Sequence, residues 1–332
     1  MGRERRLELI HQIQFLRNSK VICYITGDRE NINTRIAPDV IRVFYRHLEA
    51  LGHNERIDLF LYTRGGDVLT PWRLVNLIRE YTENFSLLVP FRAYSAGTLI
   101  GLGASEIVMG KMGELGPIDP SVANAFNPQD PSNPVAKIPV SVEDVSSFVT
   151  LAMEICQLKG QEQLESVFTH LANNVHPLAL GNVQRNYALI RSIARKLLRM
   201  HMSAEEEELI KDIVNNLTEK LYAHNHMISR REAKNDIKLA IVQPSYELEK
   251  IMWTLYEEYE RELKLSEPFI PSDLLSEAQS HVEFEVPGGV VESLSALDYF
   301  VFKGSVSSGD IPGDMAPSVN VNMDRQYWKR II

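Results

Sequence analysis

The chain has 332 residues, 44% of them hydrophobic and 24% charged, a balance that marks a folded globular protein with one large or two modest domains. Its net charge of −9 argues against a general nucleic-acid binder. Two cysteines imply no disulfide framework and fit a reducing cytosol. With no apolar run of about 18 residues and no apolar leader, neither a membrane span nor a signal peptide is expected.

The basic start, Arg3, Arg5 and Arg6, is broken by Glu4 and reads as the solvated face of a first helix, for which residues 6–17 carry helical spacing. Val21–Thr26 reads as a strand with Cys23 as a small core residue. Residues 38–51 follow as a helix, with Pro38 in its first turn and Gly52 as its stop. Ile57–Tyr62 is a second strand ending at Thr63-Arg64-Gly65-Gly66-Asp67, and residues 69–81 are the next helix. Phe85–Phe91 is a third strand. It leads into Tyr94-Ser95-Ala96-Gly97-Thr98, a short apolar helix to Ala104, and a fourth strand over Glu106–Met109. Strands alternating with helices of this length indicate βαβ units and a mainly parallel sheet. In such sheets the site lies at the carboxyl ends of strands. Gly65-Gly66 and Ser95 both fall there.

Residues 124–139 are rich in Asn, Pro, Asp and Ser and read as a surface loop. The chain is then strongly helical to Leu263. Ser203 with Glu206 and Ser229 with Glu232 have capping-box spacing, and Glu205–Glu208 sit where a helix N-terminus favours negative charge. Residues 282–286 and 299–302, with Gly288-Gly289, indicate a terminal hairpin, and residues 305–317 a loop or tail. This organisation divides into an α/β core over residues 1–139, a helical region over 140–265, and a hairpin with a Gly/Ser/Pro-rich tail over 266–332.

A serine at a helix start and a glycine pair at a neighbouring strand end can supply a nucleophile and an oxyanion hole. Each has a plainer use. Ser95 can cap its helix, and Gly65-Gly66 can be a tight turn that needs positive φ. Asp67 reads as the cap of the helix after the glycines, and Asp119, between two prolines, as a turn residue. His201, His224 and His226 invite a metal reading, but His224-x-His226 has no third ligand at a telling distance, so no metal is expected. No dinucleotide fingerprint follows a strand, and no cofactor is expected.

The run Tyr94-Ser95-Ala96-Gly97-Thr98, the apolar helix, Gly113-Glu114-Leu115-Gly116-Pro117-Ile118-Asp119-Pro120 and the earlier Gly65-Gly66 together resemble the serine dehydrogenase proteinase family of the Clp/crotonase superfamily. That family is related to signal peptide peptidase A and the Clp protease subunit. Residues 221–233 resemble a second motif of the family. The resemblance implies a Clp/crotonase-like α/β fold, a spiral of ββα units with a helical C-terminal part. It implies a serine peptidase in which Ser95 attacks and the Gly66 and Ala96 N–H groups hold the oxyanion. Arg64 stands where the family often has proline. No histidine falls in the window where the Clp subunit keeps its base, so the resemblance implies a Ser-Lys dyad with Lys137, spaced as in the archaeal soluble relatives. Lys111, His170 and His176 are the other candidate bases. A peptide or protein substrate and a homo-oligomer are implied, and the sequence is silent on an ATPase partner. Two other classes stay open. One is a crotonase-type acyl-thioester enzyme with Glu114 as acid/base. The other is a non-catalytic scaffold.

Overall fold

The runs Val21–Thr26 and Ile57–Tyr62 are apolar at almost every position, the pattern of strands covered on both faces. In the computed structural model every residue of both runs is buried. The structure describes residues 2–118, 121–122, 125–130, 133–138, 140–219, 226–276, 280–309 and 318–332. The chain divides by compactness into two units, Met1–Leu115 with Met227–Ile332, and Gly116–His226.

The first unit opens with α1 (Gly2–Arg17), β1 (Lys20–Thr26), α2 (Val40–Leu51), β2 (Arg56–Tyr62) and α3 (Thr70–Arg79). β3 (Asn84–Val89), β4 (Arg92–Ala93), α4 (Ala96–Leu102), β5 (Glu106–Met109) and β6 (Glu114–Leu115) follow. The expected alternation of strand and helix is all present, with α1 starting earlier than its periodicity indicated.

Among its described residues the second unit holds four short strands: β7 (Ser121–Val122), β8 (Gln129–Asp130), β9 (Asn133–Lys137) and β10 (Val140–Ser141). β7 pairs with β10 and β8 with β9. The segment expected as a plain surface loop therefore contains a small hairpin, because Asn133–Lys137 can exchange backbone bonds with residues 129–130 despite its loop-like composition. The helices α5 (Val142–Thr150), α6 (Gln161–Asn174), α7 (Pro177–Leu198) and α8 (Glu207–Glu219) complete this unit. Glu206 reaches back to the Ser203 N–H at 2.9 Å, as the capping box requires.

The chain then returns to the first unit through β11 (Ile228–Ser229), α9 (Arg230–Asn235), β12 (Ile241–Val242) and α10 (Tyr246–Leu263). Ser229 caps α9 by accepting the Glu232 N–H at 3.3 Å. The C-terminal segment forms three long strands, β13 (His281–Glu292), β14 (Leu297–Gly309) and β15 (Ser318–Arg330). Gly288-Gly289 lies within β13 as a bulge, and the turn to β14 comes later. Residues 305–309, expected in a tail, extend β14 instead.

The main sheet has the order β12-β5-β3-β2-β1-β13-β14-β15. β12 to β1 run parallel and β13 to β15 antiparallel, so the sheet is mixed rather than mainly parallel. Leu9, Ile10 and Ile13 of α1 and Met252, Leu255, Tyr256 and Tyr259 of α10 cover one face of the central strands.

Arg6 is not on a solvated face. It is 1% exposed, with Nε donating to Glu292 at 2.6 Å and Nη1 to Glu262 at 2.9 Å, while the Tyr259 hydroxyl donates to Glu292 at 2.9 Å. Periodicity cannot see this, because α1 buries Arg6 only once α10 and β13 lie over it. Arg6→Ala removes the main partner of a fully buried carboxylate, leaving it Arg3 at 3.4 Å and the Tyr259 hydroxyl, and is expected to cost about 3 kcal/mol in urea unfolding. By contrast, Gly181 lies inside α7 with open space where a Cβ would stand. Gly181→Ala is expected to stabilise by up to about 1 kcal/mol in the same measurement.

Candidate active site

The site is built where β2 and β3 end. Beyond β2, the Thr63 N–H donates to the Arg92 carbonyl at 2.9 Å and the Tyr94 N–H to the Thr63 carbonyl at 3.1 Å. This bridge straps the serine turn to the strand end that carries the glycines. The Thr63 hydroxyl accepts the Gly65 N–H at 3.0 Å and the Thr26 hydroxyl at 2.7 Å.

Gly65 and Gly66 have φ of 110° and 154°, which L side chains rarely adopt. A Cβ on Gly65 would lie 2.9 Å from the Ser95 Cβ and 3.3 Å from its Oγ. A Cβ on Gly66 would strike Ile36, lying 2.6 Å from its nitrogen. Ile36 clamps the pair, donating to the Gly65 carbonyl at 2.9 Å and accepting the Asp67 N–H at 2.8 Å. Those bonds use the groups on either side of Gly66 and leave its own N–H out of the bridge. The glycines are thus needed both for their conformation and for contact with the serine.

Ser95 has φ 51° and ψ −108° and makes no side-chain capping bond to α4. Its hydroxyl has no hydrogen-bond partner among the described residues. The plain capping use is therefore not realised. A non-glycine residue held in this region costs on the order of 1–3 kcal/mol and persists only where its surroundings enforce it. Here the Gly97 N–H donates to the Tyr94 carbonyl at 2.8 Å and the Leu99 N–H to the Ser95 carbonyl at 3.0 Å. Gly97 lets α4 sit on β2, since a Cβ there would lie 2.5 Å from Thr63 Cγ2. Ala96, one residue after the serine, starts α4 and is buried. The first N–H groups of a helix have no partner within it.

Asp67 caps α3, its Oδ1 accepting the Thr70 N–H at 2.8 Å and the Thr70 hydroxyl at 2.7 Å. Asp119 lies outside the described residues. Glu114 accepts a hydrogen bond from the Tyr94 hydroxyl and faces Arg92 at 3.6 Å. Burial, and then this bond, push the Tyr94 phenol up to about 12. Glu114 thereby anchors the residue before Ser95. Arg64 is 63% exposed beside the glycines and stands 3.8 Å from Asp28.

Among the candidate bases, Lys111 is 69% exposed and ion-paired to Glu249 at 3.4 Å. His176 caps α7 through Nδ1, accepting the Leu178 N–H at 3.1 Å, and its ring stacks on Phe126. The His170 carbonyl accepts the Asn174 side chain within α6, and the residue is exposed. Lys137 ends β9 opposite Gln129, half-buried. His224 is outside the described residues, among which no group of three or more His, Cys, Asp or Glu is placed to hold a metal ion.

The sequence offered no sign of a Ser-His-Asp arrangement that the fold assembles away from Ser95. His47 Nδ1 lies 2.9 Å from Ser293 Oγ and its Nε2 3.1 Å from Asp298 Oδ2. All three side chains are fully buried, and Asp298 also accepts Arg330 at 2.7 Å and Arg46 at 3.1 Å. No substrate reaches it. It ties α2 to β14 and β15, and the residues are too far apart in sequence for spacing to reveal it.

The family of ClpP-like SDH-type serine proteinases matches residues 2–177. Two uncharacterized proteins of Methanocaldococcus jannaschii are similar to this chain. One is 26% identical over 236 residues, 69% of this chain and 71% of its own length. The other is 28% identical over 142 residues, 40% of this chain and 45% of its own.

Two outcomes follow from this geometry. Gly97→Ala overpacks α4 against Thr63 and is expected to destabilise by about 1–3 kcal/mol in urea unfolding. Asp298 is pulled up by burial, but hydrogen bonds from His47 and Arg330 outweigh this and hold it below the usual carboxylate range. A depressed folded-state value contributes stability above the unfolded value of about 3.9, and that stability is lost as pH falls through the folded value. Stability measured from pH 7 down to pH 3 is expected to drop below about pH 4, with a shallower drop in Asp298→Asn.

Proposed function

Because the chain belongs to the ClpP-like SDH-type serine proteinase family and has a Clp/crotonase-like α/β fold, we propose that it cleaves peptide bonds through a Ser95–Lys137 dyad. Ser95 Oγ attacks the peptide carbonyl carbon as its proton passes to a neutral Lys137 Nζ. The Gly66 and Ala96 N–H groups hold the oxyanion, a contribution of about 3–4 kcal/mol for each such donor. The tetrahedral intermediate collapses as the C–N bond breaks and Lys137 returns the proton to the departing amine. Water, deprotonated in turn by Lys137, then releases the acyl group from Ser95.

The observation that carries this reading is the Ser95 turn. Its backbone is strained, its hydroxyl is not spent on capping, and its Cβ rests against a glycine that no other residue could replace. A lysine base must lose its proton far below its ordinary value of about 10.4, which calls for burial and the absence of a carboxylate partner. Lys137 has no ion-pair partner among the described residues, whereas Lys111 is paired. Glu114 is already engaged by Tyr94 and Arg92, which weighs against the acyl-thioester reading.

We also propose that the protein works as a homo-oligomer in the cytosol on peptide substrates. Membership of a ClpP-like family supports assembly and a peptide substrate. No helix among the described residues is long and apolar enough to cross a membrane.

A fluorophosphonate probe followed by mass spectrometry tests the dyad. Ser95 is expected to be labelled, and Ser95→Ala not at all. Lys137→Ala should label slower by about 10²–10⁴-fold, the usual worth of a general base. Lys111→Ala should match the wild type. Wild-type labelling in Lys137→Ala would remove lysine 137 from the mechanism while leaving the serine in place.

A further inference from the structure

Gly288 is the extra residue of the β13 bulge. Pro287 faces Val301 and Gly289 faces Phe300, so Gly288 has no opposite number on β14. A Cβ there would lie 2.3 Å from Phe302 Cε2, and only glycine fits. Its carbonyl serves the loop that follows β1 instead. It accepts the Gly27 N–H at 2.8 Å and the Thr34 hydroxyl at 2.9 Å. The Thr34 N–H donates in turn to the Gly27 carbonyl at 2.8 Å. The same loop has further ties to the C-terminal part of the chain. The Phe269 N–H donates to the Glu30 carbonyl at 3.0 Å, and Ile32 packs with Phe269, Phe284 and Phe302.

Two residues beyond Thr34, this loop delivers Ile36, whose N–H donates to the Gly65 carbonyl at 2.9 Å. The Gly65–Gly66 peptide bond is trans, so its N–H points opposite to its carbonyl. Ile36, by holding the carbonyl side, fixes the direction of the Gly66 N–H. An oxyanion donor acts only when aimed to within a few tenths of an ångström. Bulges recur beside active sites, where they re-aim neighbouring groups. β13 lies beyond residues 2–177, the stretch that matches the family.

We propose that the C-terminal hairpin sets the aim of the Gly66 N–H: Gly288 holds Thr34, Thr34 holds the loop, and Ile36 holds the glycine turn. Thr34 is a positioning residue that acts through Ile36. The proposal rests on the reading of Ser95 as nucleophile and Gly66 as oxyanion donor.

Fluorophosphonate labelling of full-length protein tests it, because the phosphoryl oxygen of the probe takes the oxyanion position during attack by Ser95. Rates are measured against probe concentration, which separates the saturating rate from probe affinity, and urea midpoints are measured alongside. Thr34→Val keeps the shape and removes the hydroxyl that Gly288 accepts. It is expected to lower the saturating rate by about tenfold or more at unchanged probe affinity, short of the roughly 10²–10³-fold that loss of a whole donor costs. Thr34→Ser restores the hydroxyl and should label like the wild type. Val306→Ala, at a fully buried position of β14 paired with Val282 and Val321, should lower the urea midpoint and leave the rate unchanged. The proposal is overturned if Thr34→Val labels at the wild-type rate, if Thr34→Ser is as slow as Thr34→Val, or if Val306→Ala slows labelling as much. A wild-type protein that never labels overturns the nucleophile reading and this proposal with it.

Discussion

Gly65 and Ser95 approach so closely that no side chain fits between them, and the rest of the site follows from that contact. Two chain segments from different strand ends meet there, backbone against side chain. The approach works only because Gly65 and Gly66 adopt positive φ without a Cβ, because Gly97 lets α4 lie on Thr63, and because Ile36 clamps the glycine turn from the far side. A parallel sheet makes this natural. Its neighbouring strands end at the same edge, so the turns that leave β2 and β3 are already side by side.

The strain at Ser95 is stored rather than relaxed, because its neighbours are held on every side. Tyr94 is fixed through its N–H to Thr63, through its carbonyl to Gly97 and through its hydroxyl to Glu114. Thr98 binds the Ala93 carbonyl at 2.9 Å. A hydroxyl presented in this way is not spent on capping. The buried His47 cluster makes the complementary point. It has the residue types and distances of a hydrolytic triad, but the same burial that makes it a good tie between α2, β14 and β15 denies it any substrate. Access, not residue type, separates the two serines.

Much of the fold was legible in the chain because it rests on local patterns. Apolar runs of strand length, alternating with helices, mark the parallel strands. Asp67, Ser203 and Ser229 declare their helix starts because capping is decided within four residues. What escaped depends on partners far away in sequence. Arg6 reads as solvent-facing until Glu292, 286 residues on, is placed beneath it. The terminal hairpin was legible, but its length and the added strand β15 escaped: Gly288-Gly289 looks like a turn, yet β13 carries it as a bulge against Phe302 of β14.

The sequence by itself determined the chemistry available at the site: one serine at a helix start, two glycines at a strand end, and no histidine in the window where a triad would need it. These are local facts, fixed by residue type and spacing. Only the tertiary structure decided that Ser95 leaves its hydroxyl uncommitted, that Gly65 comes close against it, and that Lys111 is tied to Glu249. The physical reason is that hydroxyl freedom, close approach and ion pairing are properties of pairs of groups. Pairs remote in sequence meet only when the sheet brings them to one edge.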